Sequence, residues 1–302
     1  MVSAVITTYK RNPDIVMRAV NSVLAQSYKS IEIIVVDDSP SDYEARADVR
    51  NAIERYKGER DGMSIRYICH THNMGACVAR NTGMEAAQGE YIAYLDDDDE
   101  WLPTKIEKQM KVMDTTNAAL VYCRSKSVNE ENVITYVDNE KKYRGRVFME
   151  LLKKNFIGST SFPLIKRECL LKIHGFDPLM QAVQDYDVWL RLAEEYEMDY
   201  VDEPLVIYHE HDDERITTNP QKRISGTTRL CNKFQSYIDA DRTLWWERHR
   251  ELSRQYALNG EYKKAILNWL KCIIKKPGRI KYNLLYLYFI IQAIKTRALK
   301  KS

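Results

Sequence analysis

The chain has 302 residues, 44% of them hydrophobic and 29% charged, with 11 glycines and 8 prolines. This composition is typical of a globular protein with a sizeable core, and it excludes a collagen-like or largely disordered chain. The net charge of +3 hides an asymmetry: residues 1–220 carry 27 basic and 38 acidic side chains, whereas residues 221–302 carry 19 and 5. An acidic body followed by a basic tail indicates two regions with different partners.

Several features favour a cytoplasmic location. The 6 cysteines form no CxxC pair, so a reduced chain is expected rather than a disulfide scaffold. The first residues lack a basic start and a small-residue cleavage site, so we do not expect a signal peptide. The longest apolar run, residues 284–291, is too short to span a bilayer.

Strands and helices alternate along the first 125 residues. Short apolar runs predict strands at residues 3–7, 31–36, 64–69, 91–95 and 118–123. A first helix is predicted after Asn12, a candidate cap followed by Pro13. A second helix follows the strand at 31–36 and extends to about residue 57. Two more helices are predicted over residues 75–87 and 103–113. This alternation is typical of βαβ units and predicts an α/β fold with a mostly parallel sheet.

The pattern loosens after residue 124 and changes again near residue 220. Helices are predicted at residues 148–153, 167–174 and 185–196. The sequence Asn219-Pro220 and the change of charge predict two domains, residues 1–220 and 221–302. The second domain is expected to be helical, and residues 259–277 resemble one tetratricopeptide-like hairpin, which must stack on a neighbour to bury its faces.

Polar clusters follow the first four predicted strands, at residues 7–11, 37–38, 73–81 and 96–101. The carboxyl ends of parallel strands line one crevice, where ligands bind. No glycine precedes Gly58, so the first turn is not a glycine-rich phosphate loop. The four aspartates at 96–99 could instead hold phosphates through Mg²⁺ or Mn²⁺, although a solvated acidic turn is the alternative.

The order and spacing of these motifs resemble the family 2 glycosyltransferases, including bacterial enzymes of surface polysaccharide synthesis. The resemblance spans residues 2 to about 217 and implies a GT-A fold with helices on both sheet faces and a C-terminal helical appendage. The motifs are Thr7-Thr8-Tyr9, Val35–Ser39, Asn73-x-Gly75 with Ala79–Asn81, Gly89–Asp99 with Trp101 and Pro103, Gly175–Asp177, Gln184–Leu192 and Tyr208–His211.

The resemblance assigns a nucleotide-sugar donor to this crevice. It implies that Thr7 and Tyr9 line the base pocket, with Tyr9 stacking on the base. It implies that Asp38 accepts a hydrogen bond from a base imide, as uridine would offer. The other residues that it assigns to the donor are Arg11, Asn73, Arg80, Asp96 and Asp97.

The resemblance also implies a metal site and a catalytic base. Asp98 is the expected ligand of Mn²⁺ or Mg²⁺, and His211 could complete the shell, with His209 as the competing histidine. Asp185 is the expected base, and a helix cap is the alternative role for it. Gln184 stands where the family often has Glu. Trp101 could stack on an acceptor sugar or simply cap the crevice.

These roles imply an inverting, metal-dependent transferase that moves a sugar from a UDP-sugar to a hydroxyl of a glycan or lipid-linked acceptor. A base is needed because the attacking hydroxyl must lose its proton. The alternatives are a sugar nucleotidyltransferase, which needs a glycine- and arginine-bearing loop after the first strand, and a non-catalytic binding module.

The basic tail suggests two kinds of contact. Its aromatic residues lie within an apolar stretch, which suits an anionic membrane surface at the inner face of the cell membrane better than stacked bases, so no nucleic-acid partner is expected. The alternative is that the same stretch packs on the protein itself or on a second subunit.

Overall fold

The computed structural model of the chain describes residues 1–56, 63–210, 219–279, 288 and 291. Its strands are β1 (Val2–Thr8), β2 (Ile31–Asp37), β3 (Ser64–Cys69), β4 (Tyr91–Asp96), β5 (Asp99–Trp101), β6 (Leu120–Val128), β7 (Ile134–Val137), β8 (Leu164–Lys166) and β9 (Met198–His209). Its helices are α1 (Pro13–Leu24), α2 (Arg46–Glu54), α3 (Ala76–Ala86), α4 (Lys105–Thr115), α5 (Phe148–Lys153), α6 (Arg167–Lys172), α7 (Gln184–Glu195), α8 (Pro220–Lys233), α9 (Gln235–Ala240), α10 (Arg242–Asn259) and α11 (Tyr262–Lys275).

The strands of the described residues form one sheet in the order β3-β2-β1-β4-β8-β6-β9-β5, with β7 paired to β6. β3, β2, β1 and β4 are all parallel, so their carboxyl ends meet at one edge. β8 runs antiparallel between β4 and β6, and β9 runs parallel to β6. The α/β architecture expected from the sequence is confirmed.

Burial explains why the parallel half of the sheet forms as predicted. Every residue of β2 is buried, as a strand covered on both faces requires. Helix α1 begins as expected, because the Asn12 side chain accepts a hydrogen bond from the Asp14 amide at 2.9 Å and Pro13 occupies the first turn. Helix α2 is shorter than predicted and begins at Arg46, after a turn over residues 41–45.

Four strands were not predicted individually, namely β5, β7, β8 and β9. Strand β9 contains Asp202, Glu203 and Pro204, residue types that favour turns. The register between β9 and β6 shifts on both sides of Arg124, and this irregularity accommodates Pro204 inside the pairing. Tertiary pairing thus overrides local preference here, and β9 in turn pairs with β5 at the end of the aspartate run.

The chain divides into two compact units. One comprises Met1–Pro178 and Asp185–Asp212 and contains the sheet, and the other comprises Leu179–Gln184 and Asp213–Ser302. In the second unit, α10 and α11 form a helical hairpin whose connection includes Gly260, in the left-handed conformation with φ 82°. Within the described ranges, we find no helix that combines the length and apolar character needed to cross a bilayer.

Candidate active site

The carboxyl ends of β1, β2 and β4 bring the predicted site together. β1 lies between the other two strands, and Thr7 is in register with Val36 on one side and with Asp96 on the other. Asp37 pairs with Thr8 one residue further along. The polar residues that follow these strands therefore share one edge of the sheet, as the sequence predicted.

Asp96, the last residue of β4, is surrounded by hydrogen-bond donors. Arg80 Nη2 lies 2.8 Å from Asp96 Oδ1. The hydroxyls of Ser159 and Thr160 donate to the same carboxylate at 3.2 and 3.0 Å. The Asp96 amide donates to the hydroxyl of Ser161 at 3.1 Å. These contacts fix the orientation of Asp96 at the start of the aspartate run.

Arg11 spans the next two aspartates. Its Nε lies 3.1 Å from Oδ1 of Asp97, and its Nη2 lies 2.9 Å from Oδ2 of Asp98. Arg18 contacts the backbone of the same segment, since Arg18 Nη2 donates a hydrogen bond to the Asp98 carbonyl at 3.0 Å. Burial, opposed by the Arg11 charge, raises the pKa of Asp97 to about 7.

The donor set at Asp97 and Asp98 fits a hard divalent cation. Carboxylate oxygens are the ligands that Mg²⁺ and Mn²⁺ prefer, and such ions commonly use one or two carboxylates together with substrate phosphates and water. Among the described residues, no group of three or more His, Cys, Asp or Glu side chains could hold a metal without further ligands. Asp97 and Asp98 could thus supply only part of the ligands that such a cation needs.

The last aspartate of the run, Asp99, is placed differently from its neighbours. It begins β5, opposite Tyr208 on β9, and is only 1% exposed. Burial and the charges of Asp98 and Asp96 raise its pKa. The strand pairing directs Asp99 into the protein, which leaves Asp96, Asp97 and Asp98 as the acidic side chains of the crevice.

The two candidate histidines differ in what the structure shows. Nε2 of His209 lies 2.6 Å from Oε1 of Glu100, and this contact lowers the pKa of the Glu100 carboxyl. Glu100 also lies 3.6 Å from Arg18. His211 lies outside the described residues, so its assignment to the metal stays a prediction.

Asp38 is buried and accepts several hydrogen bonds. His70 Nδ1 lies 2.7 Å from its Oδ1, and the amides of Met74 and Gly75 donate to Oδ1 and Oδ2 at 2.7 Å each. His70 Nε2 in turn lies 2.9 Å from the hydroxyl of Thr82. A carboxylate has about four acceptor positions, so one remains for a base imide. Asp38 therefore also anchors the loop that precedes α3.

The other residues assigned to the nucleotide lie around this loop. Tyr9 is 42% exposed, and Lys10 Nζ lies 5.6 Å from its ring centroid. The Asn73 side chain accepts a hydrogen bond from the Gly75 amide at 3.0 Å. Gly75 has φ +92°, a conformation that residues with a Cβ rarely adopt, and it opens α3. Tyr9 thus offers an open ring face, whereas Asn73 shapes the loop.

Asp185 lies in the first turn of α7. Its Oδ1 accepts a hydrogen bond from the Tyr186 amide at 2.8 Å. Burial raises the pKa of Asp185 to about 6, with Asp96 also raising it and Arg80 lowering it. Arg80 thus joins the two halves of the site: it pairs with Asp96 and acts electrostatically on Asp185.

Asp187, the next acid of α7, has a structural role. It is fully buried and pairs with Arg191, one turn later, at 2.9 Å. Arg191 also donates to the carbonyl of Gly175 at 2.6 Å. This pair ties α7 to the Gly175–Asp177 motif, while Asp185 remains the acid of α7 that faces the charges of the crevice.

Trp101 cannot stack on a sugar. It is 2% exposed, its indole nitrogen donates to the Ser161 carbonyl at 3.0 Å, and Lys105 Nζ lies 4.2 Å from its ring centroid. Lys105 is fully buried, donates to Gln109 at 2.8 Å, and has its pKa lowered to about 8 by burial. Of the two roles considered for Trp101, stacking on an acceptor sugar is therefore excluded, and the ring packs in the interior beside Lys105.

Several contact residues were missed at the sequence level. Ser159, Thr160 and Ser161 meet Asp96 from a part of the chain whose pattern is irregular. His70 was missed because a single histidine after a strand carries no spacing signal. For Ser159, Thr160 and Ser161, the available signal was the run of three hydroxyl-bearing residues just before a short apolar segment.

Comparison with known proteins identifies the family. The family model described as "Glycosyl transferase family 2" matches residues 3–173, which is more than half of the chain. The chain belongs to glycosyl transferase family 2. The predicted family, the GT-A fold and the enzyme class are confirmed.

Two bacterial relatives illustrate the similarity. The Escherichia coli (strain K12) protein named "Putative colanic acid biosynthesis glycosyl transferase WcaA" is 33% identical over 248 residues, covering 79% of this chain and 83% of the relative. The Escherichia coli protein "UDP-Glc:alpha-D-GlcNAc-diphosphoundecaprenol beta-1,3-glucosyltransferase WfaP" is 31% identical over 204 residues, covering 64% of this chain and 70% of the relative.

Solved structures with low sequence identity share the fold. TarS 1–349 of S. aureus, in complex with UDP-GlcNAc, has a TM-score of 0.68 at 17% identity and covers 97% of this chain and 88% of that chain. The mannosyltransferase PcManGT of Pyrobaculum calidifontis, in complex with GDP-Man and Mn²⁺, has a TM-score of 0.59 at 17% identity and covers 100% and 88%.

Proposed function

We propose that this family 2 glycosyltransferase catalyses an inverting, metal-dependent transfer from a UDP-sugar to a hydroxyl of a glycan or lipid-linked acceptor. The observation that carries the proposal is the position of Arg80. It binds Asp96 at the donor side and acts on the pKa of Asp185 at the acceptor side. One guanidinium therefore acts on both halves of the proposed site, on Asp96 through a hydrogen bond and on Asp185 through its charge.

Asp185 is the proposed general base. A carboxyl with a pKa of about 6 is largely ionised at neutral pH, yet basic enough to take the proton of an attacking hydroxyl. A single displacement needs no protein nucleophile and inverts the anomeric configuration.

Asp98, together with Asp97 and with His211 or diphosphate oxygens, is the proposed holder of Mg²⁺ or Mn²⁺. The cation would neutralise charge on the leaving diphosphate. Arg11 lies against the same two carboxylates and would contact the phosphates of a bound donor. The Mn²⁺ bound to one structural relative, PcManGT, supports the choice of metal.

We propose that the site is specific for uridine as the nucleoside of the donor. Asp38 keeps one acceptor position that an imide N–H could use, and Tyr9 has an exposed ring. The names of WfaP and of the TarS complex contain UDP-sugars, whereas PcManGT is bound to GDP-Man. Uridine is therefore the first nucleotide to test and guanosine the second.

The proposed acceptor is a growing surface polysaccharide or its lipid carrier, at the inner face of the cell membrane. The relatives' names support it: one refers to colanic acid biosynthesis and another to a diphosphoundecaprenol acceptor. A lipid-linked acceptor is confined to the bilayer surface, so an enzyme acting on it gains from peripheral attachment. The basic tail, with 19 basic against 5 acidic side chains, would favour attachment to anionic lipid.

A screen of nucleotide sugars tests the proposal. The purified chain is incubated with UDP-, GDP- and TDP-sugars, with Mn²⁺ or with chelator, and released nucleoside diphosphate is measured. We expect slow metal-dependent release from a UDP-sugar, absent in Asp185→Asn and retained in Asp114→Asn, an exposed acid at the end of α4. Formation of nucleoside triphosphate and sugar 1-phosphate when pyrophosphate is added would indicate a nucleotidyltransferase, and binding without any release would indicate a binding module.

A further inference from the structure

Helix α11 has one side that packs within its own hairpin. Ala265 and Cys272, seven residues apart, are both buried. The Ser253 hydroxyl of α10 donates to the Ala265 carbonyl at 2.7 Å, and Cys272 Sγ donates to the Trp246 carbonyl at 3.6 Å. These contacts set which side of α11 faces α10.

The opposite side of α11 is apolar and exposed. Leu267, Leu270 and Ile274 are spaced three and four residues apart, so they share one face of the helix. Their exposed fractions are 58%, 43% and 79%. Three large aliphatic side chains in one row exceed the scattered exposed apolar residues of an ordinary surface. We call these three residues the α11 face.

Lysines border the α11 face. Lys264, Lys271 and Lys275 form a row beside it, since they are seven and four residues apart, and Lys263 lies one turn before Leu267. Residues 262–279 contain six basic side chains and no acidic one. An apolar strip with a one-sided basic border is the pattern of a helix that lies in a membrane interface.

We propose that the α11 face is a membrane-docking surface, with Leu267, Leu270 and Ile274 inserted among the acyl chains of an anionic bilayer. The stems of Lys263 and Lys271 would extend to the lipid phosphates, which keeps their ammonium groups hydrated. Lys264 is paired with Glu261, and Lys275 lies over the Trp245 ring. The proposal rests on the membrane-bound acceptor proposed above and names the surface that would reach it. It places attachment on α11, in addition to the apolar run at residues 284–291.

The charge pattern favours lipid over a second copy of the chain. A symmetric dimer through the α11 face would bring together two copies of a segment that carries six basic side chains and no acidic one. Such like-charge contacts are unfavourable, whereas anionic headgroups neutralise them. A dimer is therefore the competing outcome that the experiment must detect.

The test is co-sedimentation of the full chain with vesicles of phosphatidylglycerol and phosphatidylcholine, or of phosphatidylcholine alone. The apolar variant is Leu267→Gln with Ile274→Gln, and its matched control is Val133→Gln with Ile134→Gln, two residues that are each 55% exposed. The charge variant is Lys263→Glu with Lys271→Glu, and its control is Lys29→Glu with Lys172→Glu, all at exposed positions.

We expect the wild-type chain and both controls to bind the anionic vesicles, and both α11 variants to lose at least about tenfold in partitioning. Binding should weaken between about 0.1 M and about 1 M salt, since the Debye length falls from about 10 to about 3 Å. Circular dichroism and release of nucleoside diphosphate from the donor, measured without lipid, show that each variant is folded and active.

Three results would overturn the proposal. Equal binding by the α11 variants would place attachment elsewhere in the tail, and absence of binding by the wild type would exclude lipid docking. A concentration-dependent dimer that the Leu267→Gln, Ile274→Gln variant abolishes would identify a second copy as the occupant. In each case normal donor hydrolysis would leave the proposed transfer reaction standing.

Discussion

The guanidinium of Arg11 and the carboxylate of Asp98 form a close ion pair, with Nη2 2.9 Å from Oδ2. Asp98 is also the proposed ligand of the divalent cation, so one carboxylate serves two cations. The positive charge of Arg11 lowers the affinity of its neighbours for a second positive charge. Metal affinity and the Arg11 contact are therefore coupled.

Replacing Arg11 should strengthen metal binding in the absence of donor. In Arg11→Gln the carboxylates lose the competing guanidinium, but the pKa of Asp97 rises further because the Arg11 charge no longer opposes the effect of burial. At a pH well above 7, where Asp97 is ionised, we expect Mn²⁺ affinity to rise about tenfold. Isothermal titration with Mn²⁺ measures it. Arg144→Gln, which removes a charge from an exposed side chain, is the control. Unchanged affinity in Arg11→Gln would show that Arg11 and the metal use different oxygens.

Removing the proposed metal ligand should have the opposite effect. Asp98→Asn keeps the shape of the side chain but loses the anionic oxygen, so Mn²⁺-dependent UDP binding should weaken by at least about tenfold and turnover should be lost. Titration of UDP with and without Mn²⁺ separates the two contributions, with Asp114→Asn as the control. Full activity of Asp98→Asn in chelator would refute a metal role for the aspartate run.

The pH dependence should report Asp185. Because burial raises the pKa of this carboxyl to about 6, the base is protonated and inactive below that pH and ionised above it. At saturating Mn²⁺, which keeps the Asp97 carboxylate ionised, the value of kcat/KM should therefore rise from about pH 5 to about pH 7 and then level off. An acid limb with its midpoint near the ordinary pKa of about 4 would contradict a buried base.

His70 should affect donor binding rather than turnover. His70 Nδ1 lies 2.7 Å from Asp38, and its Nε2 contacts the Thr82 hydroxyl. His70→Ala therefore removes a contact that orients Asp38, the carboxylate assigned to the nucleotide base. We expect KM for the UDP-sugar to rise about tenfold with kcat changed much less. His72→Ala, at an exposed neighbouring position, is the control. A fall in kcat at constant KM would remove His70 from donor recognition.

The sequence was most informative where local pattern and tertiary structure agree. Short apolar runs predicted the parallel strands β1 to β4, and β-strand geometry then brought Thr7, Asp38 and Asp96 to one edge. The resemblance also assigned the role of base to Asp185 on α7; burial raises the pKa of this carboxyl to about 6, and the role stays a prediction. The family and the fold could thus be predicted from residues that carry their own signal.

The remainder depended on pairing between distant segments. Strand β9 contains Asp202 and Pro204, and its place in the sheet depends on pairing with β6 and β5. The same pairing buries Asp99 and Trp101, which adjoin the exposed crevice in sequence. Arg11 and Asp98 are 87 residues apart, and no local pattern could show that they meet. The sequence analysis therefore missed contacts between side chains that are far apart in the sequence.

Asp185→Asn tests the proposed mechanism most directly, because it separates chemistry from binding. Burial disfavours the ionised carboxylate in the folded state, so a neutral amide at this position should not destabilise the protein at neutral pH. The measurement compares Mn²⁺-UDP affinity and the single-turnover transfer rate of Asp185→Asn with those of the wild type. We predict unchanged affinity and a rate lower by ~10²–10⁴-fold, as expected for loss of a general base. Weakened affinity with a rate close to that of the wild type would show instead that Asp185 is a structural residue.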